Sequence, residues 1–256
     1  MRALVVLPTY NEVGNITEVL RRVRRALPDA DVLVVDDASP DGTATVARAE
    51  AATLGRIAVR SRPGKQGLGS AYREAFIEGL RRGYPVLVEM DSDLSHDPAV
   101  LPDLVAAAEV GADLVVGSRY VPGGAIPRWP RWRRALSRWG NRYAGWLLAL
   151  ALTDATSGFR AYRAGVLARI DLPSVRADGY GFQIEMAHRV ARAGGRIVEV
   201  PIQFLDRTRG VSKMSARIIA EALWLVTWWG MRERLAAIRG TRPRRAGGPA
   251  DLPGTP

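Results

Sequence analysis

Residues 31–43 read DVLVVDDASPDGT, an apolar run that ends in two adjacent carboxylates and a turn. The β-branched run predicts a buried strand, and the Pro, Asp and Gly residues that follow predict a turn before a helix. The same alternation recurs, with strand-like runs at 3–7, 31–35, 56–61, 85–90 and 112–117. Helical patterns lie near 12–27, 41–54, 68–82 and 98–110. Strand–helix alternation predicts an α/β fold with a mostly parallel sheet and flanking helices.

Polar segments follow each of these five runs. They are PTYNE at 8–12, Asp36-Asp37, GKQG at 64–67, Asp91-Ser92-Asp93 and Ser118-Arg119. Ligands of open α/β sheets bind beyond the carboxyl ends of the strands. The sequence therefore predicts one site that gathers these segments along a single edge of the sheet.

Asp91 and Asp93 form the first candidate for chemistry. Alternate residues of a strand point the same way, so we expect both carboxylates to face one spot. Two carboxylates suit a hard divalent cation that also binds phosphate oxygens. The chain has no cysteine and two histidines, which favours Mg²⁺ or Mn²⁺ held by oxygen. The alternative is that one aspartate caps the next helix, as Asp97 could also do.

Two further groups of charged residues have a structural alternative. Asp36 or Asp37 could accept hydrogen bonds from a base or ribose, while Asp41 and its neighbours form a turn. Lys65 and Lys213 lie in Gly-containing loops, and a loop with Arg and Lys could close on a departing diphosphate. The alternative is an ordinary solvated basic loop.

The segment 131–150 has a helical stripe of large apolar residues. Its members are Trp132, Leu136, Trp139, Tyr143, Trp146, Leu147 and Leu150. Arg131, Arg134, Arg138 and Arg142 run beside it, while Arg133 and Ser137 on the other flank could face a ligand. All seven tryptophans fall within 129–146 or 224–229, which favours contact with a membrane surface. The alternative is a core-packing helix with a basic edge.

The sequence predicts a catalytic domain at 1–210 that includes the segment 121–152. A loop and amphipathic helix follow at 211–239, and a disordered tail at 240–256. Within the domain, residues 182–185 and His188 are interpreted as one face of a packed helix, and 196–201 as a strand. The longest uncharged runs, 143–153 and 222–231, are shorter than the ~20 residues that span a bilayer.

With these segments the chain resembles glycosyltransferase family 2 and, within it, the polyprenol-phosphate (dolichol-phosphate) mannose synthases. The broad family is indicated by LPTYNE at 7–12, VVDDASPDGT at 34–43, GKQGLGSAY at 64–72 and GSRY at 117–120. The other matching segments are MDSDLSHDP at 90–98, TSGFRAYR at 156–163, DGYGFQIEM at 178–186 and EVPIQFLDRTRGVSKM at 199–214, and the last two point to the mannose synthases. The matches keep their order over most of the chain.

The resemblance implies a GT-A fold, a GDP-mannose donor, a polyprenyl phosphate acceptor and a Mg²⁺ or Mn²⁺ cofactor at Asp91 and Asp93. The donor-binding residues that it implies are Pro8, Tyr10, Glu12, Val35, Asp37, Met90, Asp91, Ser92, Asp93, Arg119, Arg207 and Lys213. Of these, Arg207 and Lys213 would hold the diphosphate. Arg119, Arg133 and Ser137 would receive the acceptor phosphate. Some relatives have a metal-binding Gln where this chain has Ser95.

Two other functions remain open at this stage. A family 2 transferase could use another nucleotide sugar or a non-lipid acceptor. A net charge of +11 also suits a nucleic-acid-binding protein, but acids clustered at strand ends would repel a phosphate backbone. We therefore expect no nucleic acid partner. The expected location is cytoplasmic, peripheral on the inner face of the cell membrane, through the Trp/Arg-rich helices or a membrane-protein partner.

Overall fold

The computed structural model describes residues 2–205 and 216–238. Its strands are β1 Ala3–Thr9, β2 Asp31–Asp36, β3 Ile57–Ser61, β4 Val86–Glu89, β5 Leu114–Ser118, β6 Arg160–Arg163 and β7 Ile197–Pro201. Its α-helices are α1 Ile16–Ala26, α2 Thr43–Leu54, α3 Leu68–Arg81, α4 Leu101–Glu109, α5 Arg131–Leu147, α6 Ala164–Arg169, α7 Gly179–Arg192 and α8 Ala216–Ile238. The strands and helices predicted in the first half of the chain are confirmed, with small shifts at their ends.

The seven strands form one sheet in the order β3-β2-β1-β4-β6-β5-β7. Strand β6 pairs antiparallel with both β4 and β5, and the other pairings are parallel. The predicted α/β class with a mostly parallel sheet is therefore confirmed. The antiparallel strand brings the chain segment that precedes it, around residue 157, back to the carboxyl edge of β4 and β5.

Alternating residues of the strands divide the core into two layers. Leu4 and Val6 of β1 pack into the cluster that contains the buried faces of α3 and α7. Val5 and Leu7 face the opposite way, into the cluster with α1 and α4. Burial on both faces explains why the strands read as continuous apolar runs rather than as an alternation of apolar and polar residues.

Helices α5 and α8 pack against each other, and each contributes to the first of these clusters, through Ala144 and Val226. Gly230 of α8 approaches α5 so closely that a Cβ there would lie 2.4 Å from the Cγ of Leu147. The hydroxyls of Tyr143 and Thr227 lie 2.8 Å apart and join the two helices. Helix α5 ends at Leu147, and Leu150 is buried in the core. The prediction that Leu150 continues the helical stripe is wrong because the chain leaves the helix before it.

Several predictions fall on residues that the structure does not describe. Arg207, Lys213 and the predicted tail at 240–256 lie outside the described residues. Helix α8 falls within the predicted segment 211–239. Among the described helices, none combines the length and the apolar character that crossing a bilayer requires.

A buried ion pair fixes the chain beyond β5. The Asp154 carboxylate accepts hydrogen bonds from Nε and Nη2 of Arg119 at 2.7 and 2.6 Å, and from the Arg119 backbone N–H at 3.0 Å. Both side chains are almost fully buried. Burial raises the pKa of Asp154, but the charge and hydrogen bonds of Arg119 outweigh it, so this pKa lies below its ordinary value.

Replacement of Asp154 by Asn should destabilise the fold by about 3–5 kcal/mol, because the Arg119 charge then remains buried without its counter-ion. Chemical unfolding monitored by circular dichroism measures this loss. The double variant Arg119→Met with Asp154→Leu should recover most of it, since neither charge is then buried.

The matched control is Glu18→Gln, which breaks an exposed ion pair with Arg22 on α1 and should change stability by less than about 0.5 kcal/mol. A loss at Asp154→Asn as small as that of the control would contradict the structural role of the pair.

Candidate active site

A polar cavity of about 730 Å³ opens at the carboxyl edge of the sheet. It lies beyond β1, β2 and β4 and beside the first turn of α7. Most of the predicted donor-binding residues in the described chain line it, namely Pro8, Tyr10, Glu12, Asp37, Asp91, Ser92, Asp93 and Arg119. Arg133, predicted to contact the acceptor, also lines it. The strand-end segments therefore meet at one place, as the parallel topology requires.

Two predicted donor residues do not face this cavity. The side chains of Val35 and Met90 are buried in the two hydrophobic clusters, and neither residue is among those that line the cavity. The structure thus places both in the core, next to residues that do face the cavity.

Asp37 organises one end of the cavity. Its carboxylate accepts hydrogen bonds from the Arg62 guanidinium and from the backbone N–H groups of Gln66 and Gly67. These bonds fasten the loop 64–67 to the end of β2. The Lys65 ammonium of that loop lies 4.4 Å from the centre of the Tyr10 ring. Asp37 therefore shapes the cavity wall that presents Lys65 and Tyr10.

The neighbouring carboxylates hold turns. Asp36 accepts from the hydroxyls of Thr9 and Ser39. Asp41 accepts from the N–H and hydroxyl of Thr43 and from the N–H of Val13. Burial raises the pKa of Asp41, but these hydrogen bonds outweigh it and the pKa is lowered. The predicted turn role of Asp41 matches this geometry.

Asp91 and Asp93 lie in a bend after β4, which ends at Glu89. The expectation that strand alternation aligns them is therefore wrong, and the bend brings both to the cavity instead. Leu94, at φ 63°, turns the chain, and the Ser95 N–H donates to Asp93 at 3.0 Å. The Ser92 hydroxyl donates to the Pro8 carbonyl at 2.8 Å, which ties the bend to β1.

The donor set of this bend fits a divalent cation. The Asp91 side chain is 31% exposed, and Asp93 lines the same cavity. The hydroxyl of Ser95 is buried and has no hydrogen-bond partner among the described residues. Within the described chain, no cluster of three or more Asp, Glu or His residues forms a complete protein cage. Two carboxylates suit a cation whose remaining ligands are phosphate and water oxygens.

A second, apolar groove of about 460 Å³ lies between α5 and α8. Its walls are built largely from apolar residues, including Trp132, Leu136, Trp139, Tyr143, Ala222 and Val226. Arg119, Trp129, Arg133, Thr156 and Tyr180 line both this groove and the polar cavity. The two spaces therefore meet at a junction, defined here by these five residues.

The junction and its surroundings carry groups that bind anions. The Arg133 guanidinium lies 3.9 Å from the centre of the Trp129 ring. The described hydrogen bonds of Arg119 use its backbone N–H, Nε and Nη2, and none uses Nη1. Ser137, which lines the groove, accepts a hydrogen bond from the Tyr120 hydroxyl at 2.7 Å. An anionic head with an apolar tail matches this combination of surfaces.

Most of the tryptophans face outward. Trp132, Trp139, Trp146, Trp224 and Trp228 are 49–68% exposed on α5 and α8. Trp129 is buried and packs edge-on against Phe204. Trp229 is partly buried and packs against the core, while five tryptophans present an apolar surface beside the groove.

Sequence reasoning missed three residues of the site. Thr156, which accepts from Arg119 at 2.8 Å, belongs to the family motif at 156–163, and Asp154, which holds Arg119, lies just before that motif. Tyr120 was likewise noted only as part of a motif. Glu185 could reach the site or be a buried, paired carboxylate, and the structure shows the second: it accepts hydrogen bonds from Arg189 and from the backbone N–H groups of 176 and 177.

The chain matches the model of the family "Glycosyl transferase family 2" over residues 4–171. It is 52% identical to the undecaprenyl-phosphate mannosyltransferase of Micrococcus luteus, across 93% of this chain and 98% of that protein. It is 51% identical to the polyprenol monophosphomannose synthase of Mycolicibacterium smegmatis, across 93% of this chain and 91% of that protein.

Among solved structures, the fold is similar to a mannosyltransferase from Pyrobaculum calidifontis in complex with GDP-Man and Mn²⁺. The TM-score is 0.56 at 19% identity, over 94% of this chain and 74% of the other. This likeness supports the predicted GT-A fold. The family match over more than half of the chain and the two close relatives show that the chain is a glycosyltransferase and belongs to glycosyl transferase family 2.

Proposed function

We propose that the chain transfers mannose from GDP-mannose to a polyprenyl phosphate with the help of Mg²⁺ or Mn²⁺. The observation that carries this proposal is the junction, where a polar cavity meets an apolar groove beside Arg119 and Arg133. A lipid phosphate has an anionic head that would fit the polar cavity and a long apolar chain that would fit the groove. The names of the two relatives, at 52% and 51% identity, support a mannosyl donor and a polyprenol acceptor.

The donor would occupy the polar cavity. The similar structure from Pyrobaculum calidifontis is in complex with GDP-Man and Mn²⁺, which supports this nucleotide sugar and a divalent cation. Asp91 and Asp93 would hold the cation, which would neutralise charge on the diphosphate. Lys65 and Tyr10 would contact the nucleotide at the other end of the cavity, because the Asp37-anchored loop holds Lys65 there beside the Tyr10 ring, which follows β1.

The acceptor phosphate would be the nucleophile. Its second pKa is about 6, so it is largely a dianion at neutral pH and needs no strong general base. A phosphate oxygen forms a bond to the anomeric carbon while the bond from this carbon to the diphosphate breaks, with inversion, and GDP leaves. His96 lines the cavity, but its Nδ1 accepts a hydrogen bond from the Asp91 backbone N–H at 3.4 Å, so we assign it a role in holding Asp91 rather than that of a base.

The protein's part in this reaction is to orient two anions. Ser137 accepts from Tyr120, so its own proton is directed to another acceptor, such as a phosphate oxygen. Arg133 supplies positive charge at the junction. Because Asp154 balances the charge of Arg119, Arg119 would act mainly as a fixed hydrogen-bond donor to the phosphate. Arg207 and Lys213 are proposed to hold the departing diphosphate and lie outside the described residues.

The same helices that line the groove would rest on the membrane. Trp132, Trp139 and Trp146 are exposed on α5, and the chain carries a net charge of +11. Exposed tryptophan beside arginine suits an interface with anionic lipid. We propose a peripheral position on the inner face of the cell membrane, from which a polyprenyl chain can enter the groove without crossing water. A membrane-protein partner would reinforce this attachment.

Transfer of radiolabelled mannose from GDP-mannose to polyprenyl phosphate in detergent should require Mg²⁺ or Mn²⁺ and stop with EDTA. Asp91→Asn should lower turnover by roughly 100-fold or more, because charge on the leaving diphosphate is then poorly stabilised. Asp103→Asn, an exposed carboxylate on α4, is the matched control and should leave turnover unchanged. Equal turnover in both variants would rule out the proposed metal site.

Ser137→Ala should raise the KM for polyprenyl phosphate about tenfold, since a hydrogen bond to a charged group is lost. Tyr120→Phe should raise it several-fold, because Ser137 then loses its orienting partner. Initial rates with each substrate varied in turn separate this effect from the KM for GDP-mannose, which should stay unchanged.

Tyr84→Phe is the control for this pair, because its hydroxyl donates to Asp31, away from the residues that line either space. An unchanged KM for the acceptor in Ser137→Ala would exclude the proposed phosphate position.

Gly140→Phe should lower kcat/KM for polyprenyl phosphate about tenfold while GDP-mannose binds as before. Gly140 lines the groove, and a Cβ there meets no atom within 4 Å, so the new ring would fill the groove rather than disturb the core. Gly165→Phe on α6, also in open space, is the matched control. Unaltered acceptor kinetics in Gly140→Phe would show that the groove does not bind the prenyl chain.

A further inference from the structure

A buried amide at the base of the polar cavity has no role in the reaction described so far. Gln183 of α7 lines the cavity although it is only 2% exposed. Neither Nε2 nor Oε1 completes a hydrogen bond with a described residue. Buried amides that lack protein partners are uncommon and carry a cost, which a bound ligand removes.

The space next to this amide is left open by a glycine. A Cβ on Gly158 would lie 3.6 Å from both carboxylate oxygens of Asp91 and 3.6 Å from Nε2 of Gln183. Gly158 therefore leaves a gap, large enough for a methyl group, between the predicted metal ligand and the amide. All three residues line the cavity.

The position of Gln183 is fixed by what surrounds it. Phe182 and Ile184 are both packed in the core, so this turn of α7 cannot rotate. The Arg160 guanidinium donates to the backbone carbonyl of Gln183 at 2.6 Å and to the backbone carbonyl of Ser157 at 2.7 Å. One guanidinium thus holds the helix and the segment that contains Gly158 at a set separation.

The carboxyl of Glu89 is a further polar group near the amide. Its pKa is raised to about 7 by burial, against the opposing effects of Arg160, Gln183 and Tyr162. The Gln183 amide therefore approaches Glu89, yet neither carboxylate oxygen completes a hydrogen bond with a described residue. Glu89 therefore does not satisfy the hydrogen-bond donor and acceptor of the Gln183 amide.

We propose that the Gln183 amide binds a hydroxyl group of the donor sugar and contributes to the choice of sugar. A hydroxyl both donates and accepts, and an amide offers an acceptor in Oε1 and a donor in Nε2. This inference rests on the proposed function, because it takes the diphosphate to lie at Asp91 and Asp93.

The order of groups in the cavity supports a sugar at this position. The diphosphate would lie at Asp91 on one side, and the acceptor phosphate would enter at the junction, to which Tyr180 belongs. Gln183 lies three residues after Tyr180 on the same helix, so both project from one face. The transferred sugar must lie between the two phosphates, which is where the amide and the Gly158 gap are found.

The test compares binding of GDP-mannose with binding of GDP, both with Mn²⁺, by isothermal titration calorimetry on the full chain. Gln183→Leu should weaken GDP-mannose about tenfold and leave GDP within about twofold, because only the first ligand carries the sugar. Gly158→Ala, which fills the gap at van der Waals distance from the amide and leaves the amide group itself in place, should show the same pattern. Gln203→Leu, an exposed glutamine after β7, should change neither affinity.

Equal weakening of GDP and GDP-mannose in both variants would overturn the inference, since the amide would then act through the cation site or the cavity shape. Unchanged affinity for GDP-mannose in a folded variant would overturn it too. If Gln183→Leu fails to fold, Gly158→Ala decides between these results. Failure of the unaltered chain to bind GDP-mannose, while it binds another nucleotide sugar, would refute the proposed donor instead.

Discussion

Arg119 and Asp154 are held together in the interior, and the rest of the site depends on this ion pair. Two charges removed from water are costly unless their geometry is good, and here the carboxylate takes three hydrogen bonds from one arginine. The pair connects the end of β5 to the segment before β6. It thereby fixes Thr156 and sets where the polar cavity meets the apolar groove.

The junction answers a physical problem that a lipid-linked acceptor poses. Its phosphate has to reach a water-soluble donor, while exposure of its apolar prenyl chain to water costs free energy. The acidic and basic side chains at the sheet edge would bind the donor and the acceptor phosphate. The apolar groove between α5 and α8 would shield the prenyl chain from water. The tryptophans outside the groove extend the apolar surface toward the place where such a lipid resides. Helix α5 contributes residues both to the proposed phosphate site and to the groove for the prenyl chain.

The predictions from sequence succeeded where local periodicity carries the information. The strand runs and the polar segments after them predicted the sheet and its edge, because parallel strands place their carboxyl ends together. Asp154 lies 35 residues from Arg119, and no periodic pattern connects them. The antiparallel β6 and the bend at Asp91 depend on tertiary contacts in the same way. Gln183 looked like one more packed helix residue, since burial alone does not reveal an unfilled amide.

The central claim is that the groove binds the chain of the acceptor, and a series of polyprenyl monophosphates of increasing length tests it most directly. Each buried methylene stabilises binding by about 0.8 kcal/mol. The account predicts that KM for the acceptor falls at least ~10-fold with the first isoprenoid units and then levels off when the groove is full. A KM that does not depend on chain length, with the phosphate kept the same, would contradict it.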